Sequence, residues 1–145
     1  MNQSNLSVRK ITLIASLLVI MPLGCGKSLT MSDLYGNYVA NYSVASENLT
    51  LMPNGKFIQK VTIKASGKVS VVQGTWKYDS YDDKVVCDEN FLAVVDGFGA
   101  LRKDYVTNRG LALLPIKTVP TQPLSLGASE DPVKYTKMSP QKGAS

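Results

Sequence analysis

The ten residues from Lys56 to Ala65 follow a period-two alternation of polar and apolar residues, with Ile58 and Gln59 as the exceptions. Phe57, Gln59, Val61, Ile63 and Ala65 fall on one side, and Lys56, Ile58, Lys60, Thr62 and Lys64 fall on the other. A period of two separates residues across a strand, whereas a helix would scatter them around its circumference. The run is entered through Pro53-Asn54-Gly55 and left through Ser66-Gly67-Lys68. Asn and Gly tolerate the positive φ that tight hairpin turns require. A strand with one apolar face between two turns needs partners and a cover for that face. The rest of the chain must therefore supply a sheet.

The remaining sequence is punctuated in the same way. Short apolar runs between Gly, Asn, Asp and Pro predict strands over 36–42, 48–52, 56–65, 69–78, 85–96, 100–106, 111–117 and 133–138. Leu49 and Leu51 share a face in the second strand, and Val72, Gly74, Trp76 and Tyr78 share one in the fourth. The alternation slips at Val71-Val72, which predicts a bulge there. The fifth strand is interrupted at Asp88-Glu89-Asn90. Asp96-Gly97-Phe98-Gly99 and Asn108-Arg109-Gly110 are read as turns. Pro115, Pro120, Pro123, Pro132 and Pro140 predict an extended tail without a central strand. No helical period follows Cys25. The expected class is all-β: a small antiparallel meander barrel, or a sandwich, of about seven to eight strands.

The run from Glu47 to Phe57, with Pro53-Asn54-Gly55 inside it, is followed by Gly74-Thr75-Trp76-Lys77-Tyr78-Asp79. Leu34-Tyr35-Gly36-Asn37-Tyr38 supplies a matching first strand. This pattern resembles small bacterial lipocalin-like cell-envelope lipoproteins, in which a Gly turn leads into an aromatic-started strand and then a Gly-Thr-Trp strand. The resemblance implies a meandering barrel. It implies no ligand.

The N-terminal part carries a second resemblance. Arg9 and Lys10 precede an apolar run over 11–21, then Pro22-Leu23-Gly24 and Cys25. The run is shorter than the about 20 apolar residues a membrane-spanning helix needs. Cationic start, apolar centre and small residue before the cut are the parts of a secretory signal. Gly24-Cys25 resembles the end of a lipobox, although Leu23 sits two residues before the cysteine and Pro22 stands where the pattern has Leu. The resemblance implies a lipoprotein signal peptide over 1–24 and acylation of Cys25, with palmitate among its chains. Two or more chains anchor a protein stably. Gly26 favours the outer membrane, facing the periplasm. A lipidated tether is then expected over 25–32, a barrel-like domain over 33–138 and a flexible tail over 139–145.

Composition limits the chemistry. There is no histidine, which removes the commonest general base and metal ligand together. With Cys25 acylated, Cys87 has no partner for a disulfide and reads as a small buried residue. Loss of Arg9 and Lys10 brings the formal charge from +5 to +3, too little to argue for nucleic acid. Asp79, Asp82, Asp83, Asp88 and Glu89 cluster, but their spacing fits no calcium loop and reads as a solvated turn. No metal and no cofactor are expected.

Two constellations remain. Lys56, Lys60 and Lys64 form a ladder on one strand face, a candidate binding face for lipid phosphates or an acidic partner, or a solvated edge. Phe57, Trp76 and Tyr78, with Tyr38 and Tyr42, line a cavity or fill a core. The sequence thus predicts a non-enzymatic envelope protein, held in the membrane through acyl chains on Cys25, that binds an envelope protein in the periplasm. The alternative is a lipocalin-like carrier of a small apolar ligand.

Overall fold

The computed structural model describes residues 28–94, 106–127 and 133–139. Eight strands follow one another: β1 (Gly36–Asn41), β2 (Ala45–Leu51), β3 (Lys56–Ile63), β4 (Val69–Asp79), β5 (Lys84–Val94), β6 (Val106–Lys117), β7 (Ser125–Leu126) and β8 (Tyr135–Lys137). Each pairs with the next, and β8 returns to β1 to close an antiparallel barrel. The meander barrel is therefore the architecture, and the sandwich is not. One turn of helix, α1 (Met31–Leu34), precedes β1 and closes the end of the barrel at which β1 begins, called the lower end below.

The alternating run behaves as its pattern requires. Phe57, Gln59 and Val61 are buried, while Lys56, Ile58 and Lys60 are exposed. Gly55 takes φ +74° and donates its N–H to the Met52 carbonyl oxygen at 3.1 Å, closing the turn that starts β3. Residues 28–32, read as tether, already belong partly to the fold. Leu29 and Met31 pack against the core, and the Thr30 N–H donates to the Asp33 carboxylate at 2.9 Å across the first turn of α1.

Three expectations are corrected. The β3–β4 register runs unbroken from Lys56↔Thr75 to Thr62↔Val69, so there is no bulge at Val71-Val72; Val71 points outward instead. Asn108-Arg109-Gly110 is not a turn. It lies within β6, with Phe91↔Gly110 and Leu92↔Arg109 paired, because long-range pairing overrides local turn propensity. A two-residue strand, β7, sits in the Pro-rich tail and pairs with the end of β6. The expected turn at 96–99 and strand over 100–106 lie outside the described residues, except that Val106 begins β6.

The irregularity falls on β5. Its pairing with β6 shifts between Cys87 and Phe91, leaving Asp88, Glu89 and Asn90 opposite Leu111. This agrees with the interruption expected at those three residues. Pairing of β4 with β5 extends only from Asp79↔Lys84 to Trp76↔Cys87, so the two strands part above that level. The Asp88 carboxylate fills the opening, accepting the Thr75 N–H at 2.7 Å, the Thr75 hydroxyl at 3.0 Å and the Asn90 N–H at 3.0 Å. Gly74 is needed here, since a Cβ would run into the Asp88 carboxylate and lie 2.6 Å from the Phe57 ring.

Candidate functional site

The expected cavity residues are packed into a core. Tyr38 and Phe57 are fully buried and Trp76 nearly so, together with Leu34, Leu49, Leu51, Val61, Val85 and Cys87. A side chain with no accessible surface borders no void that admits water, so the interior around these residues is filled. The polar tips find partners. The Tyr38 hydroxyl donates to the Leu34 carbonyl at 2.7 Å, and the Trp76 indole N–H donates to the Met52 carbonyl at 3.0 Å. Tyr35 meets Trp76 edge-on with centroids 6.0 Å apart. Tyr78 is only half-buried and donates its hydroxyl to Asp83 at 2.7 Å, so it belongs to the rim. Tyr42 lies at the upper turn between β1 and β2 and is likewise half-buried.

The acidic cluster is tied up by local contacts. The Lys84 ammonium bridges Asp82 and Asp79, the latter at 3.5 Å. The Tyr81 N–H bond holds the Asp79 carboxyl below its ordinary value. Burial raises the Asp88 carboxyl, but the Thr75 and Asn90 donors outweigh it and leave the value lowered. Among the described residues no group of three or more Cys, Asp or Glu is placed to hold a metal ion. Burial pushes the Cys87 thiol up to about 12, which marks an inert core residue.

The barrel interior holds a polar group that the sequence reading did not single out. Glu47, on β2, is 1% exposed, and Gln59, on β3, is fully buried beside it. The Gln59 amide acts as a substitute strand. Its oxygen accepts the Leu92 N–H at 2.8 Å, and its nitrogen donates to the Leu92 carbonyl at 2.9 Å. Those two backbone groups face the gap where β4 has left β5. The same amide nitrogen donates to Glu47 Oε2 at 2.7 Å, and the Tyr135 hydroxyl donates to that oxygen as well. Among the described residues Glu47 Oε1 has no hydrogen-bond partner. Burial raises the Glu47 carboxyl, with Tyr135, Gln59 and Tyr42 pulling it part of the way back. Burial also raises the Tyr135 phenol, which Glu47 reinforces. The signal was present in the alternation: Glu47 is in phase with Leu49 and Leu51, and Gln59 with Phe57 and Val61.

The outer wall separates into two surfaces. Lys56, Lys60 and Lys64 all face outward, as their spacing predicts. The Lys64 ammonium donates to the Tyr42 carbonyl, while Lys56 and Lys60 are exposed without such a contact among the described residues. Around the barrel, β6 exposes Leu111, Leu113 and Pro115 in a row, with Leu111 60% and Leu113 52% accessible. Val86 lies opposite Leu113 on β5. A cleft of about 390 Å³ lies open at the lower rim beside β8, lined by Thr121, Pro123, Leu124, Lys137, Met138 and Ser139. No helix among the described residues is long and apolar enough to cross a membrane, and Cys25 lies outside them. Comparison with known proteins finds no matching family model, no matching curated protein and no matching solved structure.

Proposed function

We propose that this chain is a non-enzymatic, lipid-anchored protein of the bacterial cell envelope that acts by binding a protein partner in the periplasm. The observation that carries the reading is the location of free apolar surface. The interior residues are buried against one another, whereas Leu111, Leu113 and Pro115 form an apolar row on the outside of β6. Contiguous apolar surface of this kind, bounded by polar residues such as Arg109 and Lys117, is characteristic of protein contact sites. The carrier reading asks for a continuous apolar space of about 300 Å³ or more inside the barrel. The packing of Leu49, Phe57, Val61 and Val85 leaves little room for it.

Anchoring follows from the lipobox resemblance at Gly24-Cys25, and the outer membrane from Gly26. Two measurements test the proposal. Cys25→Ser is expected to release the protein from membranes; retention with an uncleaved N-terminus would remove the acyl anchor. A photo-crosslinking residue at Leu113 is expected to give one discrete protein adduct in the envelope, which Leu111→Ser suppresses. An unreactive probe at Leu113 would remove the partner face on β6.

A further inference from the structure

The outward positions of β1 to β4 carry an unusual charge distribution. β1 shows Asn37, Val39 and Asn41, and β2 shows Ser46, Asn48 and Thr50. β3 shows Lys56, Ile58, Lys60 and Thr62, followed by Lys64, and β4 shows Val69, Val71, Gln73, Thr75, Lys77 and Asp79. Asp79 alone among these is an acid, and it lies at the rim, 3.5 Å from the Lys84 ammonium. The other acidic residues of this part of the chain lie inside the barrel (Glu47), on the lower helix (Asp33), or around the β4–β5 turn and β5. Registers place Lys60 beside Val71, Thr62 beside Val69 and Ile58 beside Gln73. Ile58, Val69 and Val71 are 38%, 48% and 62% exposed, so apolar groups interleave with ammoniums across two neighbouring strands. Lys68, in the turn between those strands, is exposed too.

From this wall we infer that the outside of β3 and β4 docks the barrel side-on against an anionic phospholipid surface. Lysines of the wall meet lipid phosphates, and Ile58, Val69 and Val71 contact the apolar side of the headgroup layer. Charge complementarity commits the face to this occupant. The carboxylates nearest the wall are already engaged at its β5 edge and lower rim, Asp88 by Thr75 and Asn90 and Asp79 by Lys84, so the lysines dominate its charge, and each lysine close to an anionic bilayer contributes about a fivefold gain. A purely ionic contact would have no use for exposed Ile58, Val69 and Val71, whereas the lipid interface accommodates both chemistries. Position agrees as well. Only Gly26 and Lys27 stand between Cys25 and Ser28, where the described chain begins, so the anchor reading keeps Ser28, just before α1 at the lower end of the barrel, within about 10 Å of chain from the membrane. The inference rests on that anchor only for its high local concentration. With the wall against lipid, β6 and its apolar row stay turned toward the periplasm.

The test uses the full chain in vesicles with brominated lipids, read by tryptophan quenching. Trp76 is the single native tryptophan and is buried in the barrel, so it gives a constant background. Val71→Trp and Leu113→Trp add a reporter to each wall. On vesicles containing phosphatidylglycerol, the indole at position 71 is expected to be quenched and the one at 113 not. On purely phosphatidylcholine vesicles neither is quenched. Adding Lys56→Gln, Lys60→Gln and Lys68→Gln shifts the docked equilibrium by roughly a hundredfold and removes the contrast. Equal quenching at 71 on both lipids, or quenching that survives the lysine changes, overturns the inference. Loss of the whole protein from vesicles during flotation is a different result and would count against the anchor instead.

Discussion

Below the level of Gln59 the barrel is packed from Leu34, Tyr38, Phe57 and Trp76; above it, Glu47, Gln59 and Tyr135 place a carboxyl, an amide and a phenol where aliphatic groups would fit. In the lower region apolar burial stabilises, at about 1.5–3 kcal/mol for each large side chain. The polar atoms there are few and each is bonded to a carbonyl. In the upper region burial costs, because an amide or carboxyl removed from water must recover its hydrogen bonds. The difference has a local cause. β4 leaves β5 at Trp76↔Cys87, and the backbone groups of Leu92 above that point need a partner. Gln59 provides one from the far side of β4. Glu47 and Tyr135 then satisfy the rest of that amide. The polar cluster is the consequence of a split strand pair, and it ties β2 and β3 to the three-residue strand β8.

Breaking the apolar region has the largest effect. Phe57→Ala removes a fully buried ring that touches Phe91, with centroids 5.8 Å apart. It should cost about 3–5 kcal/mol in urea unfolding. A cost near that of an exposed substitution would mean that the lower region is not the stabilising half. Gln59→Leu comes next. It keeps the approximate side-chain volume but strands the Leu92 N–H and carbonyl and removes a donor from Glu47. A loss of about 3 kcal/mol is expected, at about 1–3 kcal/mol for each buried group left unpaired. A neutral or stabilising outcome would show that β4 and β5 can close the gap themselves.

Tyr135→Phe is milder and more local. It deletes one donor to Glu47 Oε2 and keeps the ring, which in Tyr135 lies against Phe91 at a centroid distance of 6.2 Å. The expected cost is about 1–2 kcal/mol. Because β8 is held to β1 by just two register pairs, Tyr38↔Lys137 and Val39↔Thr136, and by the Met138 N–H donating to the Asn37 carbonyl at 2.8 Å, hydrogen exchange should rise first over 133–139. Uniform acceleration across β1 to β6 would place the loss elsewhere than at the closing strand.

The legibility of these two regions from sequence differed for the same reason. Apolar alternation announces itself, so β3, the Pro53-Asn54-Gly55 turn, the inward Phe57 and Trp76 and the outward Lys56, Lys60 and Lys64 could all be read directly. A polar residue in phase with them is equally consistent with a strand end or a solvated edge, so the phase of Glu47 and Gln59 pointed inward without saying that they pair inside the barrel. Their further partners lie far along the chain, at Leu92 and Tyr135. The same holds for Asn108-Arg109-Gly110, whose turn-like composition gives way to pairing with Phe91 and Leu92. Pro120 and Pro123 masked β7, because a two-residue strand leaves no periodicity to detect. Charge on the outer wall was legible position by position; the placing of Lys60 beside Val71 and Thr62 beside Val69 needed the register.

Titration sharpens the comparison furthest, with the smallest change in stability. Burial holds the Glu47 carboxyl above its ordinary range, so the folded chain keeps this proton more tightly than the unfolded chain does. The stabilising contribution of protonated Glu47 is complete below the unfolded value of about 4.3 and is lost as pH rises through the folded value. Asp79 and Asp88 run the other way. Their carboxyls are lowered, so their contribution is present above the unfolded value and is lost as pH falls. The urea midpoint should therefore decline on both sides of a maximum, the acid side governed by the rim and the alkaline side by the interior. Glu47→Gln keeps the shape of the side chain and removes its charge. It should flatten the decline above about pH 5 while leaving the acid side unchanged. Parallel profiles for the two proteins would mean that the carboxyl inside the barrel is not the group that titrates, and that the upper region is as silent to pH as the lower.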